Sequence, residues 1–299
     1  AFCCYLIFLL CIVMYFVGKN RTTNEYFLGG RQLGSWVTGL SAQASDMSGW
    51  LLMGLPGAAY LSGISAGWIA IGLAIGTYLN WLFVAKRLRQ YTKTADDAIT
   101  LPQFFKNRFH DESGWISVIA AVFILVFFLF YTASGFVSCA KLFSSVFGIP
   151  YLVSLVIGAV VVISYTFAGG FFAVCWTDFF QGILMFFCVL AVPTIAVFSM
   201  GGPTEFFSQV EAFNPNFLNM LVDGATGVPY TAMGIISLLA WGLGYFGQPH
   251  ILVRFMGISS PQAIKKSRRI ATIWVLISLT AAIMIGVSGR MFLGDSIVL

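Results

Sequence analysis

Long uncharged apolar segments are the strongest constraint on the fold of this chain. Residues 113–140 contain no Asp, Glu, Lys or Arg and are mostly apolar. A helix needs roughly 20 such residues to cross a bilayer, and the segments are too continuously apolar for barrel strands. With a mean hydropathy of +0.90, the chain is predicted to be an all-α polytopic membrane protein. We predict eight spans, at about 1–17, 34–62, 65–85, 115–143, 151–168, 171–199, 230–254 and 270–291.

The basic residues fall on alternate connections between these spans. Lys141 and Arg290 lie on one side, and the other fourteen of the sixteen lie on the opposite side: Lys19, Arg21, Arg31, Lys86, Arg87, Arg89, Lys93, Lys106, Arg108, Arg254, Lys265, Lys266, Arg268 and Arg269. Cytoplasmic loops carry such an excess, so we expect a multi-pass protein of the plasma membrane, most simply a bacterial inner membrane, with its N-terminus outside. The net charge of +5 then reflects topology and not nucleic-acid binding.

Several other classes of protein have no support in the sequence. The six cysteines lie in apolar spans without CxxC or Cys/His spacing, which argues against a disulfide framework or a transition-metal site. The chain contains no P-loop, nucleophile elbow or HExxH motif. We therefore expect neither ATP-driven transport nor an enzyme.

Two spans carry polar or glycine-rich interruptions, which predict broken helices. Span 34–62 is interrupted at 46–49, and span 230–254 contains WGLGYFGQP. The two spans are five helices apart, as expected of inverted repeats that each begin with a broken helix. We predict an extra helix at 1–17, a first five-helix repeat at 34–199 and the start of a second at 230–299. Both termini look like cuts, so the bundle is expected to be incomplete at its C-terminal end.

Asp46 and Asp178 are the two acidic residues that interrupt apolar runs. A carboxylate at a span centre costs about 2.5–3.5 kcal/mol on insertion scales, so it usually faces a cavity or a partner. Ser45 and Ser48 beside Asp46 favour a site for a hard cation such as Na⁺, although a hydrogen-bonded structural acid is the simpler alternative. Asp178 follows soon after Gly170. It fits either an acidic residue at the start of a helix, stabilised by the helix dipole, or a residue along the pathway of the ion.

Aromatic residues surround the second interruption. Trp241 and Tyr245 are spaced i, i+4, and they fit either ordinary packing or the wall of an apolar cavity for a small zwitterion. Tyr131, in the middle of its span, is a weaker candidate for the same cavity. His250 follows a proline near the end of its span, and a structural role is the favoured interpretation.

Three stretches carry a resemblance to a known family. They are FLGGRQLGSWVTGLSAQASDMSGWLLMGLPGAAYLSGIS, YTFAGGFFAVCWTDFFQG and LLAWGLGYFGQPHILVRFM, and they resemble the sodium/solute symporter family. The resemblance covers nearly the whole chain. It implies the inverted-repeat fold of the leucine transporter and secondary active uptake of Na⁺ together with L-proline.

The resemblance also implies roles for individual residues. Carbonyls of Ala44 and Met47, together with Asp46 and Ser48, would bind Na⁺. The substrate would contact Ser48, Gly49, Tyr131, Trp241, Tyr245 and Pro249. Asp178 and the cytoplasmic Arg31 would influence ion movement or coupling. Hydroxyls from a later helix complete the ion site in this family, and the chain is expected to stop before that helix.

Three alternatives stay open at this point. In the first, the substrate is another small organic solute, such as pantothenate. In the second, the bundle is the sensor part of a larger signalling protein. A membrane enzyme that uses Asp46 and His250 is less well supported, because no nucleophile or metal set accompanies them.

Overall fold

The regular structure of this chain is helical. The computed structural model describes residues 2–18 and 22–294, and within these ranges it contains no β-strand beyond two isolated bridges. Lys19 and Arg21, two of the predicted cytoplasmic basic residues, lie outside the described residues. The helices are α1 Phe2–Val17, α2 Thr23–Leu28, α3 Ser35–Gly49, α4 Leu55–Ser62, α5 Gly67–Leu79, α6 Lys86–Thr94, α7 Leu101–Arg108, α8 Trp115–Phe147, α9 Tyr151–Ser199, α10 Pro203–Phe213, α11 Ala232–Leu239, α12 Pro249–Gly257 and α13 Ala263–Leu293.

Among the described residues, four helical segments are long and apolar enough to cross a membrane, and two shorter apolar helices accompany them. The segment at 35–94 contains the two spans predicted at 34–62 and 65–85. Helix α9 runs for 49 residues, where the sequence predicts two spans, and Gly170 leaves helical geometry inside it (φ 62°, ψ −169°). Since a crossing uses roughly 20 residues, α9 has the length of two crossings.

The chain divides into two compact units. The first comprises residues 1–49, 83–180 and 249–267, and the second comprises 50–82, 181–248 and 268–299. The boundaries at 49/50 and 248/249 coincide with the two interruptions that the sequence predicts. Each interrupted span therefore contributes one half to each unit.

In the first unit, apolar side chains of α1, and of α3 and the residues just before it, pack against the middle of α9. Val13 and Phe16 of α1 form a buried cluster with Ala173. Leu33 and Val37 form a second cluster with Cys175. This packing holds the beginning of α3 against the part of α9 that carries Asp178.

In the second unit, α5 packs backbone to backbone against a 3-10 helical segment, Ala240–Gly247. A Cβ atom on Gly242 would lie 2.0 Å from the carbonyl oxygen of Gly72, and one on Gly76 would lie 2.2 Å from that of Gly242. Only glycine permits this approach. The Asn80 amide donates a 2.8 Å hydrogen bond to the Tyr245 carbonyl and fixes the far end of the segment.

Candidate functional site

The first interruption is a strained break near the end of α3. Ser48 has φ 29° and ψ −135° although it is not glycine, and a π-helical turn, Trp50–Gly54, follows it. A side chain at such a φ costs on the order of 1–3 kcal/mol and persists only where its surroundings enforce it. Strain of this kind concentrates at binding sites, so the break is the natural centre of a candidate site.

Asp46 lies just before this break, and its side chain is buried. Only 7% of that side chain is exposed, and its Oδ1 lies 3.6 Å from Nε2 of His250, at the start of α12. Its neighbours Ala44 and Met47 are also buried. Because their side chains are apolar, only their backbone carbonyls can serve as ligands.

Tyr131 of α8 connects to the same place. Its hydroxyl donates a 2.6 Å hydrogen bond to the carbonyl of Ser45. Its ring stacks on the ring of His250, with centroids 5.0 Å apart and planes 21° apart. The first unit thus brings together Asp46, the break at Ser48, Tyr131 and the beginning of α12, which the sequence predicted only separately.

Asp178 belongs to a different cluster of the first unit. Its carboxylate accepts hydrogen bonds from Arg254 Nη2 at 2.6 Å and from the Ser41 hydroxyl at 2.9 Å. Arg254 Nε also donates to Ser41 Oγ at 2.6 Å. Asp178 lies eight residues beyond the break at Gly170, which is outside the first helical turn where the dipole acts. A specific ion pair, and not the helix dipole, therefore stabilises this acid.

Arg31 ends the short 3-10 helix Gly29–Arg31 that precedes α3, and it is itself buried. Its guanidinium donates to the carbonyls of Met256 at 2.9 Å and Ala98 at 3.0 Å, and it pairs with Asp97 at 3.0 Å. Burial lowers the pKa of this guanidinium from its ordinary value, while Asp97 acts in the opposite direction. Arg31 therefore connects the C-terminal end of α12 to the loop that contains Asp97 and Ala98.

The predicted aromatic residues of the second interruption belong to the second unit. Trp241 is 53% exposed and packs against Trp50, with ring centroids 5.5 Å apart. Tyr245 is almost fully buried, at 2% exposure. Pro249, which belongs to the first unit, begins α12. A proline suits that position because the first amides of a helix have no partner within it.

Several residues that hold these clusters were not predicted from the sequence. Arg254 was predicted to lie among the basic loop residues, whereas the structure buries it inside α12 with 4% exposure. The sequence does contain a signal for this burial, namely an arginine within the apolar run ILVRFM. A basic side chain inside a span needs a buried partner, as an acidic one does. Gly72 and Gly76 were also overlooked, although their small-xxx-small spacing is typical of closely packed helices.

Across the described ranges, no three His, Cys, Asp or Glu side chains come together in a way that could hold a metal ion. Asp46 instead lies beside the His250 imidazole, two residues before the break at Ser48. Oxygen donors such as its carboxylate suit a hard cation. A weakly held ion such as Na⁺ fits this donor set.

Comparison with known proteins agrees with this chemistry. The chain is 50% identical over 289 residues to sodium/proline symporter 2 of Staphylococcus saprophyticus and 49% identical over 288 residues to the sodium/proline symporter of Staphylococcus aureus. These alignments cover 96% and 95% of this chain but 55% of each relative, so the chain spans about half the length of the curated relatives it matches. The relatives are transporters, which confirms the prediction that the chain is not an enzyme.

A solved structure shares the fold. A Na⁺-coupled sialic acid symporter, in a substrate-bound outward-open state, matches with a TM-score of 0.79 over 98% of this chain and 60% of that one. At 21% sequence identity, this likeness confirms the predicted helical fold. The model of the sodium:solute symporter family matches residues 26–297, and this chain belongs to that family.

Proposed function

We propose that this chain forms the cation-binding part, and much of the substrate-binding part, of a Na⁺-coupled symporter that takes up L-proline. The observation that carries the proposal is the buried carboxylate of Asp46 beside the strained break at Ser48. The names of the relatives support both the ion and the substrate.

The Na⁺ ion would lie at the break in α3. The partner of the buried Asp46 carboxylate is His250 Nε2 at 3.6 Å, beyond hydrogen-bond distance, and a bound cation would offset the cost of burying the acid. The proposed ligands are the Asp46 carboxylate, the Ser48 hydroxyl and the carbonyls of Ala44 and Met47. Carbonyls near a helix break are available to an ion because the break interrupts the ladder of i, i+4 hydrogen bonds.

The residues proposed to contact the substrate follow from the resemblance to the family. In the first unit the proposed contacts are Ser48, Gly49, Tyr131 and Pro249, and in the second unit they are Trp241 and Tyr245. Proline has a compact aliphatic ring and two charged groups, so aromatic walls with a few polar tips suit it. Tyr131 is 38% exposed and Trp241 is 53% exposed, so part of each side chain is accessible to a substrate.

Ion and substrate would be coupled because Ser48 belongs to both proposed sets. Na⁺ entering down a tenfold gradient releases about 1.4 kcal/mol, and 100 mV of membrane potential adds about 2.3 kcal/mol. Together these could concentrate a neutral solute roughly 500-fold. Alternating access between outward-open and inward-open states would convert this free energy into uptake.

The arrangement in the membrane is part of the proposal. The basic loops would be cytoplasmic, in keeping with the positive-inside rule. The broken helices in 34–62 and 230–254 would begin two inverted repeats, and Asp178 and Arg31 would act on ion movement or coupling. Each of these roles rests on sequence position and on the resemblance to the family.

Uptake of labelled L-proline by the complete protein in proteoliposomes tests the proposal. With an inward Na⁺ gradient we expect accumulation, which replacement of Na⁺ by choline abolishes. Asp46→Ala should abolish uptake, and Asp223→Ala, in a loop, serves as the control. Unlabelled pantothenate should not compete. Normal Na⁺-dependent uptake by Asp46→Ala would overturn the cation site, and competition by pantothenate but not by unlabelled proline would overturn the substrate.

A further inference from the structure

His250 occupies an unusual place beside the proposed ion site. Its Nε2 lies 3.6 Å from the Asp46 carboxylate, and its ring packs against two neighbouring aromatic side chains of α8. Tyr131 stacks on it at 5.0 Å, and Phe128 contacts it at 5.5 Å with a 54° tilt. An imidazole confined in this way can move little relative to the carboxylate.

Both ring nitrogens of His250 are buried and have no hydrogen-bond partner among the described residues. A neutral imidazole has one N–H donor and one acceptor, and leaving buried polar atoms unpaired costs about 1–3 kcal/mol per group. The 3.6 Å separation is slightly longer than a hydrogen bond, which for N–H···O spans roughly 2.7–3.2 Å. A small rotation of the Asp46 side chain would close the gap.

The backbone carbonyl of His250 is also held by a hydrogen bond, from a side chain one turn further along α12. Its carbonyl accepts a hydrogen bond from Arg254, which pairs with Asp178. Its Nε2 therefore faces Asp46, while its carbonyl is hydrogen-bonded to the arginine that pairs with Asp178. A packing histidine would need none of these polar neighbours.

We propose that His250 is a positioning residue for the ion site: its Nε2–H donates to one oxygen of Asp46 and leaves the other oxygen for the cation. The inference rests on the proposed Na⁺ site but not on the identity of the substrate. The N–H of a neutral imidazole is sufficient for this role. Groups that orient a metal-binding carboxylate typically change affinity by about 10–100-fold when they are removed.

Three variants distinguish the contribution of the His250 ring nitrogens from that of its aromatic ring. His250→Phe keeps an aromatic ring against Tyr131 but has no nitrogen. His250→Gln places an amide N–H near the position of Nε2, and His250→Asn places one near Nδ1. His110→Asn, in the loop after α7, is the matched control, because asparagine tolerates its φ of 52°.

The readout is the Na⁺ concentration that half-maximally raises the melting temperature of the complete purified protein, with choline replacing Na⁺ at constant ionic strength. Binding to the folded state raises the melting temperature whatever the substrate is. We expect His250→Phe and His250→Asn to need about tenfold more Na⁺. His250→Gln and His110→Asn should stay within about twofold of the unmodified protein.

Three results would overturn the assignment. Normal Na⁺ dependence in His250→Phe would show that only the ring matters, and equal impairment in His250→Gln and His250→Phe would show that an N–H at Nε2 is not the required group. If the unmodified protein melts identically in Na⁺ and choline, both this inference and the proposed ion site fail. If it responds to Na⁺ but does not transport proline, only the proposed substrate fails.

Discussion

The guanidinium of Arg254 lies 2.6 Å from the carboxylate of Asp178, with both residues less than 10% exposed. Ser41 completes the cluster, because it accepts from the arginine and donates to the acid. Breaking a buried ion pair of this kind by removing one partner leaves the other charge uncompensated. The pair therefore ties α3, α9 and α12 of the first unit together.

We predict that Asp178→Ala and Arg254→Ala each destabilise the protein by about 3–5 kcal/mol, since each leaves one buried charge without its partner. The double variant Asp178→Leu with Arg254→Met should be less destabilised than either single variant, because it leaves no charge behind. Melting temperatures of the complete protein in detergent micelles check this order.

Lys141→Ala, at an exposed position on α8, is the control and should melt within about 2 °C of the unmodified protein, as surface substitutions usually do. If the double variant melted below both single variants, the ion pair would not be the source of the stability.

Much of the architecture followed from sequence, because hydropathy and length determine which segments can span a membrane. The ends predicted for the span at 115–143 and the interruption at 46–49 agree closely with α8 and with the break at Ser48. The sequence predicts two separate spans, 151–168 and 171–199, whereas the structure has one helix, α9, with a break at Gly170. A single glycine with positive φ interrupts a helix without ending it.

The contacts within the candidate site could not be predicted in the same way. Asp46 and His250 are far apart in sequence, and no local pattern encodes their approach. Arg254 lies near the end of a predicted span, where a position in the span and one in the adjacent loop are both compatible with the sequence. Its burial in the structure depends on hydrogen bonds to Ser41 and Asp178, which are distant in the sequence.

The glycines of the second unit give a prediction with an internal control. A methyl group on Gly242 would meet the backbone of Gly72, which cannot move aside as a side chain could, whereas one on Gly244 meets nothing within 4 Å. We expect Gly242→Ala to destabilise the protein by at least about 1–3 kcal/mol, the usual range for overpacking. Gly244→Ala should be nearly neutral.

Thermal melting and membrane abundance of both variants measure this difference. Equal melting temperatures would contradict the close packing of α5 against the segment Ala240–Gly247.

Arg31 should matter far more than its ion-pair partner. Arg31→Ala leaves the buried carbonyls of Met256 and Ala98 without their donor, at about 1–3 kcal/mol for each unsatisfied group. Asp97→Asn removes a pair whose acid is 53% exposed, and such pairs contribute about 0–1 kcal/mol. Hydrogen exchange of the amides in α12 should accelerate in Arg31→Ala and stay nearly unchanged in Asp97→Asn. Equal acceleration in both would assign the effect to the charge and not to the carbonyl contacts.

The strain at Ser48 can be separated from the contribution of its hydroxyl. Ser48→Ala and Ser48→Gly both remove the hydroxyl, but only glycine accepts a φ of 29° without a Cβ penalty. We expect Ser48→Gly to melt above Ser48→Ala by an amount that corresponds to about 1 kcal/mol, near the lower end of the cost of such strain. Na⁺-dependent uptake should fall by a similar factor in both variants, because both lack the proposed ligand. If Ser48→Gly transported like the unmodified protein while Ser48→Ala did not, the site would depend on the shape of the break and not on the hydroxyl.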